Sequence, residues 1–377
     1  MPKKETADSV LAHTEAKLQF YTKYLERYLQ ILLAAKDVNK INIYDLYCGA
    51  GRYSDGQTGS AVRAVEAVSS AQAKITTDKV INLHLNDLNA AKVKKLRNLL
   101  AGKDSSEKQF FITFSRYEAF DLLKKIASKL PAQDRHTRNL IFIDPYGYKD
   151  IDKENLEAVL VTGRTELVLF LPIEQMYRFR LKAIDDEVDN PYIPLKNFIE
   201  QFELDVTKIT SEKEFIVALE SALKFQGKFF TASYSIRNHN RHLYGMFFIT
   251  SHLYGLEKIV EVKWELDSQK GQGFTGENQL DIFLETDRLS VLRKAITALV
   301  SNGEADNLTL YELVIRKGFL PKHGNNVLRE LCAEEVLYAI DAVERKSVRK
   351  GAYKLNYKEY KSRKPSVFFR EGPGKKL

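Results

Sequence analysis

Two short stretches hold residue types whose spacing could do chemistry. The first runs Asp45-Leu46-Tyr47-Cys48-Gly49-Ala50-Gly51-Arg52-Tyr53. It places a carboxylate four residues ahead of a G-x-G turn. Glycine in such a turn reaches positive φ without steric cost and lets a ligand approach the backbone. The second stretch is Asp144-Pro145-Tyr146-Gly147, a carboxylate and an aromatic ring on one tight turn. Taken alone, Asp-Pro is also a common way for a strand to enter a turn. The two cysteines, Cys48 and Cys332, form neither a disulfide framework nor a zinc cluster. His239 and His242 lack further ligands nearby in the sequence, so no metal is expected.

Both stretches need strands to hold them. Ile41, Ile43, Tyr44 and Leu46 form an apolar run interrupted by Asn42 and Asp45, which reads as a buried strand. A strand, an acid and a G-x-G turn ahead of a helix describe the nucleotide-binding crevice of an open α/β sheet. A helix over residues 8–35 is indicated by Leu18, Tyr21, Tyr24, Leu25, Tyr28, Leu29 and Leu32, with Thr14 as its N-cap. An alanine-rich helix is predicted near 61–72, and a second strand over Val80–Leu85. Asp87 follows that strand, where such folds bind ribose hydroxyls. It lies well beyond the usual spacing of about 20 residues, which implies an enlarged first loop and helix. The competing role for Asp87 is N-cap of a helix over 90–101. Phe110–Phe114 and Leu140–Ile143 are further strands, the latter running into Asp144. Glu118, just past the Phe110–Phe114 strand, is either a ligand contact or an ordinary acid at a helix N-terminus. Glu166–Leu171 is a fifth strand, and residues 185–225 read as a helical insertion over the crevice. Phe229–Ile236 and Leu243–Thr250 read as a closing hairpin, and a helix follows over 255–266.

The chain has 377 residues, 44% of them hydrophobic and 29% charged, enough for two or three domains. No apolar run approaches the ~20 residues needed to span a bilayer, and the start, MPKKETADSV, lacks a secretory apolar segment. A cytoplasmic setting is expected. Net charge is +8, and residues 341–377, with 12 Lys/Arg against 4 Asp/Glu, account for all of it. The soft stretch Ser268–Asn278 marks a boundary. The division read from the sequence is 1–267, a linker over 268–284, and 285–377. Helical patterns at Leu289–Val300, Leu308–Lys317 and Asn325–Cys332, with a hairpin over 336–356, suggest a winged helix with a basic wing. Arg329, Arg345, Lys346, Arg349, Lys350 and Lys354, interleaved with Tyr353, Tyr357, Tyr360 and Phe368, suit phosphate contact and base stacking. A solvated charged tail, or a winged helix that binds protein, is the alternative.

The Asp45–Gly51 spacing is similar to D-x-x-x-G-x-G, the first motif of class I S-adenosylmethionine (SAM) methyltransferases. The dinucleotide fingerprint would need glycine at 54, where Ser54 stands. The wider pattern resembles the bacterial three-Cys-motif partner (TcmP) family. His13-Thr14-Glu15-Ala16-Lys17 is similar to its opening motif, Tyr44–Ser60 to its glycine block, Ile143–Gly147 to its I-D-P-F-G, and Leu243–Trp264 to its late strand and helix. The match covers most of residues 10–265, and Tyr146 stands where Phe is usual. The resemblance implies a Rossmann-like class I methyltransferase sheet with helices on both faces, followed by the winged-helix-like α+β region. It implies SAM as cofactor, held by Asp45, Tyr47, Gly49, Gly51, Arg52, Tyr53, Ser60, Asp87 and Glu118. His13 and Lys17 would reach the same crevice. Asp144, Pro145, Tyr146 and Gly147 would orient an amine acceptor, as in the similar loop of tRNA guanine N2-dimethyltransferases. The implied partners are nucleic acid and a three-Cys-motif, radical-SAM-like protein. The alternative is a non-catalytic SAM- or nucleotide-binding module that docks nucleic acid or that partner, in a setting such as phage defence.

Overall fold

A computed structural model describes residues 12–185, 190–238, 242–268, 271–275, 288–349 and 351–372. The first helix, α1 (Ala12–Ala34), buries Phe20, Tyr21, Tyr24, Leu25 and Leu29 against the sheet. Thr14 lies inside this helix rather than capping it. Five strands then run parallel: β1 (Lys40–Asp45), β2 (Val80–Asn86), β3 (Phe110–Ser115), β4 (Thr137–Ile143) and β5 (Thr165–Leu171). The next two, β6 (Phe230–Arg237) and β7 (Leu243–Thr250), pair antiparallel with each other, and β7 also pairs antiparallel with β5. With the short edge strand β8 (Gly273–Thr275) the order is β3-β2-β1-β4-β5-β7-β6-β8. This is a Rossmann-like sheet with a reversed closing hairpin.

Successive strand residues alternate between two cores, as a pleated strand requires. Ile41, Ile43, Leu140, Phe142, Val168 and Phe170 pack with α1, α2 (Ser60–Lys74), α3 (Ala90–Leu99) and α9 (Leu253–Leu266). Ile141, Ile143, Leu167, Leu169 and Leu171 pack with α4 (Ala119–Lys129), α5 (Lys153–Leu160) and α6 (Ile173–Ala183). Coverage on both faces is why these strands read as unbroken apolar runs. The predicted insertion forms α7 (Ile193–Gln201) and α8 (Glu212–Ala222). Leu195, Phe198, Phe215 and Leu219 bury into this second core, and the Phe198 ring meets Tyr148, next to the Asp144–Gly147 loop, at 6.3 Å.

The C-terminal region holds α10 (Arg288–Ser301), β9 (Ala305–Asp306), α11 (Asn307–Arg316), α12 (Pro321–Ala333), β10 (Leu337–Asp341), α13 (Tyr357–Ser362) and β11 (Val367–Glu371). The helix predicted from Asn325 begins at Pro321, in the N-terminal position where the missing N–H costs nothing. The hairpin predicted over 336–356 does not form as such. β10 pairs antiparallel with β11, which also pairs with β9, and only an isolated bridge joins Ile340 to Ser347. The apolar alternation that a half-buried strand needs sits in Val367 and Phe369, both buried, and Phe369 meets the Tyr353 ring at 5.6 Å. The core on the α1 face continues into this region without a break. Trp264 Nε1 donates to Gly318 O at 2.9 Å, the Tyr311 hydroxyl donates to Glu257, and Tyr254 stacks on Tyr357 at 4.2 Å.

Candidate functional site

β1 and β4 are neighbours, yet the helices that follow them, α2 and α5, lie on opposite faces. That divergence opens a crevice at the carboxyl ends of the two strands, the place where open α/β sheets bind ligands. Both chemistry-bearing stretches end there.

Asp45 closes β1 and is fully buried. Its Oδ1 accepts from Tyr47 N at 3.1 Å and its Oδ2 from Ser60 Oγ at 2.6 Å. Burial pushes its pKa up to about 7, opposed by these two hydrogen bonds and assisted by the nearby charges of Asp144 and Asp87. Ser60, predicted to reach the cofactor, fixes Asp45 from the start of α2. Arg52, predicted likewise, is exposed and donates to Gly56 O at 2.9 Å within its own loop. The two glycines of the turn answer different demands. Gly49 has φ +62°, and a Cβ there would meet nothing within 4 Å, so its backbone stays open to a ligand. Gly51 has φ +84°, and a Cβ there would come within 2.5 Å of Leu96 Cδ1, so it is a packing glycine.

Asp87 follows β2 and is buried. Its Oδ2 accepts from Gly49 N at 3.1 Å and its Oδ1 from Asn89 N at 2.8 Å, which ties the glycine turn to the second strand. The N-cap of α3 is Asn89, whose side chain accepts from Ala91 N and Lys92 N, so Asp87 is not the cap. Each carboxylate oxygen of Asp87 keeps a second lone pair for a further donor. Glu118 stands at the N-cap position of α4, exposed and without a capping hydrogen bond. Tyr47 marks how closely these acids converge. Burial, then Asp150, Glu118, Asp144 and Asp87, hold its hydroxyl far above the ordinary phenol range. Tyr53 is shifted the same way by burial, Asp144 and Asp45. Burial, Asp45 and Asp87 hold the Cys48 thiol protonated, which makes it a packing group and not a nucleophile.

On the far wall Asp144 Oδ2 accepts from Lys17 Nζ at 2.6 Å, and Lys17 is largely buried with its ammonium 4.6 Å from the Phe170 ring centroid. Tyr146 is 74% exposed at the crevice mouth. Lys92 Nζ donates to its hydroxyl at 2.6 Å, and the Tyr47 ring meets it edge-on at 6.5 Å. Pro145 and Gly147 complete the loop, with open space where a Gly147 Cβ would stand. The side chain of His13 lies outside the described residues.

No protein-family model matches the chain, nor does any curated protein. Among solved structures it is similar to an O-methyltransferase from Bacillus cereus in complex with SAH, at 11% identity over 61% of this chain and 80% of that one, TM-score 0.32. The O-methyltransferase TomG from Streptomyces achromogenes, in complex with SAM, is similar at 11% identity over 61% and 79%, TM-score 0.32. A type I restriction-modification methyltransferase subunit from Streptococcus thermophilus is similar at 10% identity over 61% and 43%, TM-score 0.29. Scores this low carry no argument of their own; the strand order and the convergent acids do.

Sequence reasoning missed Asn86, which is buried and joins three strand ends: it donates to Leu46 O and Tyr117 O and accepts from Ser115 Oγ and Tyr117 N. It also missed Lys92, and the paired contact of Arg63 with Glu15 that fixes α1 to α2. Only the adjacency of Asn86 to Asp87 hinted at the first.

Arg345, Lys346, Arg349 and Lys354 are exposed; Arg345 lies 3.8 Å from Glu304, and Lys346 lies 3.5 Å from Glu344. Arg329 Nη1 donates to Asn326 at 3.3 Å, and Lys350 lies outside the described residues. The aromatic residues between them are taken up in packing. Tyr353 is buried, Tyr357 stacks on Tyr254, the Tyr360 hydroxyl donates to Glu312 at 3.0 Å, and Arg345 covers Phe368. Tyr357, Tyr360 and Phe368 each remain half-buried. His239 lies outside the described residues, and His242 stands 3.3 Å from Glu174.

Proposed function

We propose that this protein is a SAM-dependent N-methyltransferase acting on an exocyclic amine of a nucleic-acid base, and that it works with a three-Cys-motif protein. The observation that carries the reading is the convergence of Asp45, Asp87 and Asp144, from the ends of three adjacent strands, on an open glycine turn at the switch point of the sheet. The residues present fit the cofactor. Gly49 leaves backbone approachable, Asp87 keeps lone pairs for ribose hydroxyls, and Glu118 stands unpaired by any capping bond beyond β3. When bound, SAM supplies a methyl group on a sulfonium sulfur.

The chain does the positioning. Lys17 holds Oδ2 of Asp144 at 2.6 Å, while Oδ1 has no hydrogen-bond partner among the described residues. Oδ1 would accept an N–H of the acceptor amine, aim its lone pair and take up the proton it sheds. Tyr146, exposed beside Lys92, offers a ring face to the acceptor base and a cation to its phosphates. Orientation of this kind is a large part of what such a transfer needs. The exposed C-terminal cations would hold the rest of the nucleic acid, on a region whose helices and three-stranded sheet suit a winged helix.

A second reading, a docking module that binds the cofactor without turnover, is favoured by the Lys17–Asp144 pair itself, since a carboxylate neutralised by lysine is a weaker acceptor. Calorimetric titration with SAM, followed by transfer assays on tRNA and DNA with and without the partner, separates the two. For an enzyme, Asp144→Ala lowers transfer by at least about 100-fold while the SAM dissociation constant stays within about threefold. Absence of SAM binding sinks both readings. Binding without transfer to any acceptor leaves the docking module.

A further inference from the structure

At the other end of the sheet, by the amino ends of β1, β4 and β5, lies a cavity of about 260 Å³ that the methyltransferase reading does not use. Its walls come from α1, α9 and α13, and they are largely aromatic: Tyr24, Tyr28, Tyr254 and Tyr357. Ile31, Leu32 and Val38 add aliphatic surface. Its size falls just under the ~300 Å³ lower end of ligand pockets, which restricts an occupant to one or two rings.

Two polar features show it to be more than a packing fault. The Tyr28 hydroxyl is buried and has no hydrogen-bond partner among the described residues, a costly state that a ligand acceptor would relieve. Glu166 forms part of the lining, fully engaged by the Tyr24 hydroxyl and by Thr250 Oγ1 at 2.7 Å. A Cβ at Gly255 would fall 2.3 Å from Glu166 Oε1, so glycine is required for α9 to pass this carboxyl.

The charge around the cavity is unbalanced toward cations. Arg138 and Lys258 have carboxylate partners, Asp37 for the first and Glu257 and Glu261 for the second. Among the described residues Arg164 donates only to the carbonyls of Leu130 and Gln133, both at 2.6 Å, and no acid there neutralises its charge. Lys361, at the mouth on α13, has no carboxylate partner among the described residues. Burial raises the pKa of Glu166, which weakens its opposition to an incoming anion. His252 and Arg138 act on Glu166 in the other direction.

We propose that this cavity binds a small aromatic anion, a planar ring carrying one carboxylate or phosphate. The ring lies among the tyrosines, an acceptor atom takes the Tyr28 hydroxyl, and the anionic group sits toward Arg164 and Lys361. Because Tyr357 and Lys361 belong to the C-terminal region while Tyr28 and Glu166 belong to the sheet domain, such a ligand bridges the two.

The test is calorimetric titration of the full chain with phenyl phosphate and with phenylacetate, using benzyl alcohol and inorganic phosphate as controls. Saturable binding of one aromatic anion is expected, with both controls at least tenfold weaker. Phenyl phosphate and phenylacetate separate the phosphate and carboxylate sources. Tyr28→Phe and Lys361→Glu should each weaken binding at least fivefold. Tyr28→Phe should keep or raise the melting temperature, because it removes the unpartnered hydroxyl, so loss of binding there is not loss of fold. The proposal is overturned if neither anion binds below about 1 mM, or if the affinity is the same in both variants. Equal binding of benzyl alcohol would also overturn it, since the pocket would then be merely apolar.

Discussion

Gly49 and Gly51 separate conformational from steric demand within one turn. Both have positive φ, which costs an L-residue about 1–2 kcal/mol, but only Gly51 also meets Leu96. Gly51→Ala should therefore lower stability by at least about 2 kcal/mol in chemical denaturation. Gly49→Ala should cost about half of that and lose cofactor affinity instead; equal stability losses would refute the distinction. Asp45 yields a pH prediction. Its pKa is raised to about 7 in the folded chain from the ordinary carboxylate value of 3.8. The stability it contributes is then fully present below about pH 4 and lost as the pH rises through about 7. Asp45→Asn should remove this dependence, so wild type should lose stability relative to the variant between pH 4 and 8, by on the order of 4 kcal/mol. A constant difference across that range would show that Asp45 does not titrate there.

At the scale of elements, the sheet carries a polar ladder that no catalytic role requires. Asn82 Nδ2 donates to Asn42 Oδ1 at 2.9 Å, Asn42 Nδ2 donates to Asn139 Oδ1 at 3.0 Å, and Asn139 Nδ2 donates to Gln133 Oε1 at 2.9 Å. It fixes β2, β1 and β4 in register, because one residue of slip would move each amide to the other face. That register in turn brings Asp45 and Asp87 level with the glycine turn. Asn42→Ala should cost about 1–3 kcal/mol, since it takes a partner from the buried Asn139 amide and from the half-buried Asn82, and unfolding midpoints in urea would show it. A neutral result would mean that water or a rotamer change satisfies Asn82 and Asn139. Asn42 was visible in the sequence only as an interruption of an apolar strand. Its partners, 40 and 97 residues away, were not.

For the whole molecule, the continuous core and the Trp264–Gly318, Tyr311–Glu257 and Tyr254–Tyr357 contacts join the sheet domain to the C-terminal region. Scanning calorimetry should then show one cooperative transition; two well-separated ones would mean that the regions unfold independently. The sequence by itself determined the parallel strands and the acids at their ends. A strand buried on both faces must be an apolar run, and a ligand-binding turn must break that run with glycine and a carboxylate. Local pattern also determined most helices, to within a few residues. Tertiary structure alone decided which acids meet: Lys17 finds Asp144 across 127 positions, and Asp87 bonds to the glycine turn instead of capping α3. It decided that β10 pairs with β11, that Tyr353 is buried while Tyr357 and Tyr360 are half-buried, and that α1, α9 and α13 line a cavity. Each of these depends on pairings between distant segments, and such pairings are chosen by the packing of the whole chain, which no window of local sequence contains.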